Sequence, residues 1–156
     1  MLKLIAIDVD GTLLDSEHQL SDENKKWIRF VVSQGATLAL ASGRPLHGLF
    51  DVYEQLELKE GNHYLVGFNG AQIADAKTQA LIYEQTHSIE LSKQILRYLE
   101  QFDISVILSK GSELYVQDPN AYMLDVESST NKMAVVVVDN LADFIDYRPN
   151  KIHISG

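Results

Sequence analysis

The sequence predicts an α/β protein: a Rossmann-like parallel sheet with helices on both faces, followed by an α+β segment. Three observations carry this expectation. Short apolar runs over 2–9, 36–41 and 64–68 each stop at a polar turn, helical periodicity separates them, and closely spaced strand patterns take over after about residue 85. Strand, helix, strand, helix, strand implies two right-handed crossovers and an open parallel sheet.

The first run, LKLIAIDV, is closed by Asp10-Gly11 and reads as a buried strand. Ser21 is the expected N-cap of the first helix, with Asn24 where a capping box prefers Glu or Gln. Trp27, Ile28, Val31 and Val32 follow at helical spacing, and Gly35 is the stop. ATLALA, 36–41, is the second strand, ended by Ser42-Gly43-Arg44-Pro45. Pro45 suits a first helical turn, and Leu46, Leu49, Phe50, Tyr53 and Leu56 make the apolar face behind it. Tyr64–Phe68 is the third strand, ending at Asn69-Gly70. A hairpin is expected over 71–83, a helix over 92–102, and strands over 104–108 and 113–116 around a Lys110-Gly111 turn. A strand over 133–138, a short helix over 141–145 and a strand over 151–155 complete the reading. The domain boundary is placed at residue 85, giving units 1–85 and 86–156.

At 156 residues the chain is long enough to bury a core without staples. Thirteen Lys and Arg against 22 Asp and Glu give a net charge of −9, which disfavours nucleic acid and anionic lipid as partners. No cysteine is present, so disulfides, thiolate nucleophiles and Cys-ligated metals are excluded. No apolar run approaches the roughly 18 residues of a membrane span, and Asp8 comes too early for a secretory h-region. The expected location is therefore the cytoplasm.

Ligands of open parallel sheets sit outside the carboxyl ends of the strands, where all three sharp polar turns fall. In Asp8-Val9-Asp10-Gly11-Thr12, two carboxylates share one strand end. Their mutual repulsion asks for a divalent cation, and an oxygen-only pair suits Mg²⁺. One carboxylate can attack as nucleophile, while the other protonates a leaving oxygen and then activates water. Ser42-Gly43-Arg44 before a helix start is a candidate anion seat, and Asn69 a candidate partner for a phosphate or sugar hydroxyl. Taken singly, the Ser-Gly and Asn-Gly turns read as ordinary loop chemistry. His18, His47, His63, His87 and His153 show no metal spacing and read as packed or solvated.

DVDGTLL after an apolar strand resembles the first motif of the haloacid dehalogenase superfamily. LALASGRP is similar to that superfamily's second motif in its Cof-type, subclass IIB sugar-phosphatase-like members, and GFNGAQI with the Tyr83-Glu84 hairpin is similar to the same branch. The resemblance implies a partial core of that superfamily over 1–85 and part of a substrate-selecting α+β cap over 86–156. It implies a Mg²⁺-dependent phosphatase of small phosphorylated metabolites, sugar phosphates among them, working through an aspartyl-phosphate. Asp8 would be nucleophile and metal ligand, and Asp10 general acid/base with its backbone carbonyl on the metal. Gly11, Thr12, Ser42, Gly43, Arg44 and Asn69 would bind phosphate or substrate.

Family members are longer, and supply a Lys and an acidic Gly-Asp motif after the cap. The candidates in this chain are Lys110, Lys132, and Asp139 with Asp143 behind a Val-rich strand. The alternative expectation is a truncated, impaired chain limited to binding or protein contacts, with an open sheet edge that invites self-association.

Overall fold

The computed structural model describes residues 3–59 and 61–156. Leu2, the start of the first expected strand, lies outside the described residues. The described chain forms two compact units, one ending at Glu84 and one over Gln85–Gly156.

The first unit runs β1 (Leu4–Asp8), α1 (Asp22–Ser33), β2 (Thr37–Ala41), α2 (Leu46–Glu54), β3 (Tyr64–Gly67), β4 (Gln72–Asp75) and β5 (Leu81–Glu84). The strands form one sheet in the order β1-β2-β3-β4-β5. β1, β2 and β3 are parallel, while β4 and β5 add antiparallel hairpin strands. The register aligns Asp8 with Ala41, and Ala41 with Val66. The three strand ends are therefore level, and their polar turns leave the sheet side by side.

Helix α1 starts as its sequence suggests: the Ser21 hydroxyl accepts from the Asn24 N–H at 3.1 Å. Asn24 does not reciprocate on the cap; its amide donates to the Leu13 carbonyl at 2.8 Å and ties the helix to the preceding loop. Pro45 is the N-cap of α2 and not its first helical residue, with extended backbone (ψ 156°). Ile28 of α1 and Leu49, Val52 and Tyr53 of α2 pack into one cluster with Leu38, Leu40 and Leu65.

The α/β class is as expected, with α1 and α2 packed against the parallel strands.

The second unit runs α3 (Ile89–Leu99), β6 (Ser105–Lys110), β7 (Glu113–Val116), α4 (Leu124–Asn131), β8 (Ala134–Val137), α5 (Leu141–Phe144) and β9 (Ile152–Ser155). Its sheet has the order β8-β7-β6-β9. Alternation along β6 sends Leu108 into a cluster with Leu96 and Leu141, and Ile107 into another with Leu124 and Met133. Helix α4 was not expected from sequence. Its residues LDVESSTN are weak helix formers with little apolar periodicity, and it begins after Met123 in the left-handed region without a side-chain cap.

Candidate active site

The site begins where β1 ends. Asp8 is its last residue, and Val9 turns into the core, fully buried. The Leu13 and Leu14 N–H groups fold back onto the Val9 carbonyl at 3.1 and 2.9 Å, making one tight turn. Gly11 sits in it at φ +74°, where a side chain would be strained. Asp10 lies in this turn, just beyond the end of β1. The Thr12 hydroxyl donates to Asp8 Oδ2 at 3.1 Å.

Asp10 is the hub. Arg44 donates to it through both arms of its guanidinium, Nε to Oδ2 at 2.8 Å and the terminal amine to Oδ1 at 2.5 Å. The Ser42 hydroxyl stands 3.4 Å from Oδ2, and His18 Nδ1 stands 3.3 Å from Oδ1. Arg44 holds the Asp10 carboxyl below its ordinary value of 3.8, and burial opposes this only in part. The Arg44 side chain is 7% exposed, against 39% for Asp10. The guanidinium expected to help seat a phosphate is thus engaged by the neighbouring carboxylate.

The other two strand ends are stapled together. The Ser42 N–H donates to the Val66 carbonyl at 3.0 Å, the Asn69 N–H to the Ser42 carbonyl at 3.1 Å, and the Phe68 N–H to the Arg44 carbonyl at 2.9 Å. Phe68 and Asn69 adopt positive φ in a short 3₁₀ turn, which brings the Asn69 side chain over Gly43. A Cβ on Gly43 would stand 3.0 Å from Asn69 Oδ1, so glycine leaves just the room that amide needs. The structure therefore brings Asp8, Asp10, Gly11, Thr12, Ser42, Gly43, Arg44 and Asn69 to one end of one sheet.

The remaining candidates lie in the second unit. Asp143 is at the first turn of α5, where it pairs with Arg97 at 3.4 Å. Lys110 pairs with Asp146 at 3.8 Å and lies over the Tyr147 ring. Lys132 caps α4 in a left-handed conformation. Among the described residues, no group of three or more His, Cys, Asp or Glu is placed to hold a metal ion. Nor does any described helix have the length and apolarity to cross a membrane.

His18, read from sequence as packed or solvated, reaches Asp10. Its eight-residue separation from that acid carries no periodic signal. His63 is fully buried and accepts from the Leu38 N–H at 3.1 Å, so its role is packing.

A family model of haloacid dehalogenase-like hydrolases matches residues 5–155. Phosphatase YwpJ of Bacillus subtilis is 33% identical over 126 residues, covering 81% of this chain and 43% of that protein. The 5-amino-6-(5-phospho-D-ribitylamino)uracil phosphatase YcsE of Bacillus subtilis is 41% identical over 75 residues, 48% of this chain and 29% of that one. Among solved structures, a haloacid dehalogenase-like hydrolase from Bacteroides thetaiotaomicron superposes with a TM-score of 0.84 at 26% identity, over 96% of this chain and 56% of its own. The chain spans about half the length of the curated relatives it matches.

Proposed function

The chain belongs to the haloacid dehalogenase-like hydrolase family, on its Cof-type branch, and on that premise we propose that it is a Mg²⁺-dependent phosphatase of small phosphorylated metabolites. The observation that carries the reading is the division of labour between the two acids. Asp10 is gripped by Arg44, whereas among the described residues Asp8 meets a single hydroxyl and stays open to solvent. A carboxylate held in that way is a free nucleophile.

The donor set fits a hard cation. The Asp8 carboxylate and the Asp10 backbone carbonyl would hold Mg²⁺, which takes few protein oxygens and completes its shell with water and substrate phosphate. When bound, the ion would neutralise charge on the transferring phosphoryl group.

An Asp8 carboxylate oxygen attacks phosphorus, the ester P–O bond breaks, and Asp10 delivers a proton to the departing oxygen. Asp10 then takes a proton from the water that attacks the acyl phosphate, releasing inorganic phosphate and restoring Asp8. Arg44 favours the ionised form of Asp10, which is the form the water-activating step needs, and it works against the protonated form that the first step draws on. Ser42, the loop around Gly43, and Asn69 present hydroxyl, N–H and amide groups where the phosphate and its organic group would lie. The relatives are named as phosphatases, one of them for a phosphorylated ribityl compound. These names support a phosphorylated sugar or sugar-like substrate.

The test is turnover of an aryl phosphate with and without Mg²⁺. Hydrolysis that requires the ion and disappears in Asp8→Asn is expected. Wild-type turnover in that variant would refute the nucleophile.

A further inference from the structure

We propose that His18 is a positioning residue for Asp10, clamping the carboxylate from the solvent side while Arg44 holds it from the interior. The two grips converge on one atom: Oδ1 receives the Arg44 terminal amine at 2.5 Å and faces His18 Nδ1 at 3.3 Å. The Arg44 side chain is 7% exposed and that of His18 50%, so they approach from opposite environments.

The loop that carries His18 is built to hold it there. Its ends are anchored beside the site, because Leu14 bridges both Asp10 and Leu20. The Asp15 N–H donates to the Gln19 carbonyl at 3.0 Å, and the His18 N–H to the Asp15 carbonyl at 3.0 Å. The Asp15 carboxylate accepts from the Glu17 and Gln19 N–H groups at 2.9 and 2.8 Å. At the tip, His18 adopts φ +56°, a conformation that Gly or Asn takes more easily. What a histidine adds at that position is its ring, and the group its ring meets is Asp10. In the phosphatase reading, Asp10 must face the leaving oxygen in one step and water in the next. A carboxylate fixed on both sides keeps one direction for both.

The contact itself stands apart from the phosphatase reading, and the two are tested separately. In the full-length chain, well above the ordinary His pKa, nitrogen-resolved NMR of the His18 ring should find the proton on Nδ1. Asp10→Ala should return the ring to the tautomer mixture of a free histidine. A ring protonated mainly at Nε2, or one indifferent to Asp10→Ala, overturns the proposal. Where the wild type turns over a phosphate ester, His18→Ala should lower kcat about fivefold, the worth of one hydrogen bond of about 1 kcal/mol, with KM unchanged. His18→Asn places an amide donor near the position of Nδ1 and should restore most of that loss. A raised KM, or no rescue by Asn, would assign His18 to substrate contact or to loop structure. A wild type without turnover would refute the phosphatase reading, and the NMR result alone would then decide the clamp.

Discussion

Replacing Asp10 with Ala should unfold the first unit more easily, in addition to removing activity. The change deletes the carboxylate on which Arg44 rests, and that guanidinium is almost wholly buried. Removing one member of a fully buried ion pair costs about 3–5 kcal/mol, whereas an exposed pair is worth less than about 1. This pair lies between, because the Asp10 side chain is 39% exposed. Arg44 also keeps its backbone bonds to Ser42 and Phe68. About 2 kcal/mol is the resulting expectation, or roughly a 10 °C fall in Tm for a unit of fewer than a hundred residues. Thermal unfolding of the full chain at neutral pH reads it directly.

The pH dependence has a definite sign. Asp10's folded pKa lies below its ordinary 3.8, so its contribution is complete above that value and is lost as pH falls through the lowered one. The gap between wild type and Asp10→Ala should narrow in that acid window, by an amount that solvent screening keeps modest. Asp8→Ala is the control: it loses one exposed hydroxyl contact and should change stability by less than about 0.5 kcal/mol. An Asp10→Ala protein as stable as wild type, or an Asp8→Ala protein equally destabilised, would refute this reasoning.

Two further outcomes follow from the geometry. Gly43→Ala puts a methyl group 3.0 Å from Asn69 Oδ1 and should displace that amide; KM for a phosphate ester should rise roughly fivefold, about 1 kcal/mol, with the fold intact. An unchanged KM would remove Asn69 from the substrate-binding set. β1 stands at an edge of the described sheet and carries exposed Leu4, so molar mass measured by light scattering should rise with concentration, and Leu4→Lys should suppress the rise. Monomer mass at every concentration would contradict self-association through that edge.

Much of the site was legible because a parallel sheet enforces it. Once β1, β2 and β3 are recognised, level registers bring Asp8, Ser42 and Asn69 to one end whatever their separation in sequence. The Asp10–Arg44 pair was not legible, since the residues are 34 apart and either side chain has other directions available. Arg44 looked like a phosphate ligand because sequence shows its charge but not the neighbour that claims it. His18 was hidden for a related reason: a short loop closed by Asp15 places it, and no period marks such a closure. Helix α4 escaped because LDVESSTN lacks both propensity and an apolar stripe.

The central claim is that the Asp8 carboxylate takes up the phosphoryl group. Incubating wild type and Asp8→Asn with a radiolabelled phosphate ester in Mg²⁺, quenching in acid and mapping the labelled peptide tests it most directly. The account predicts a hydroxylamine-labile label on the peptide containing Asp8, absent from the variant. Steady hydrolysis with no label on that peptide, or with label at another residue, would contradict it.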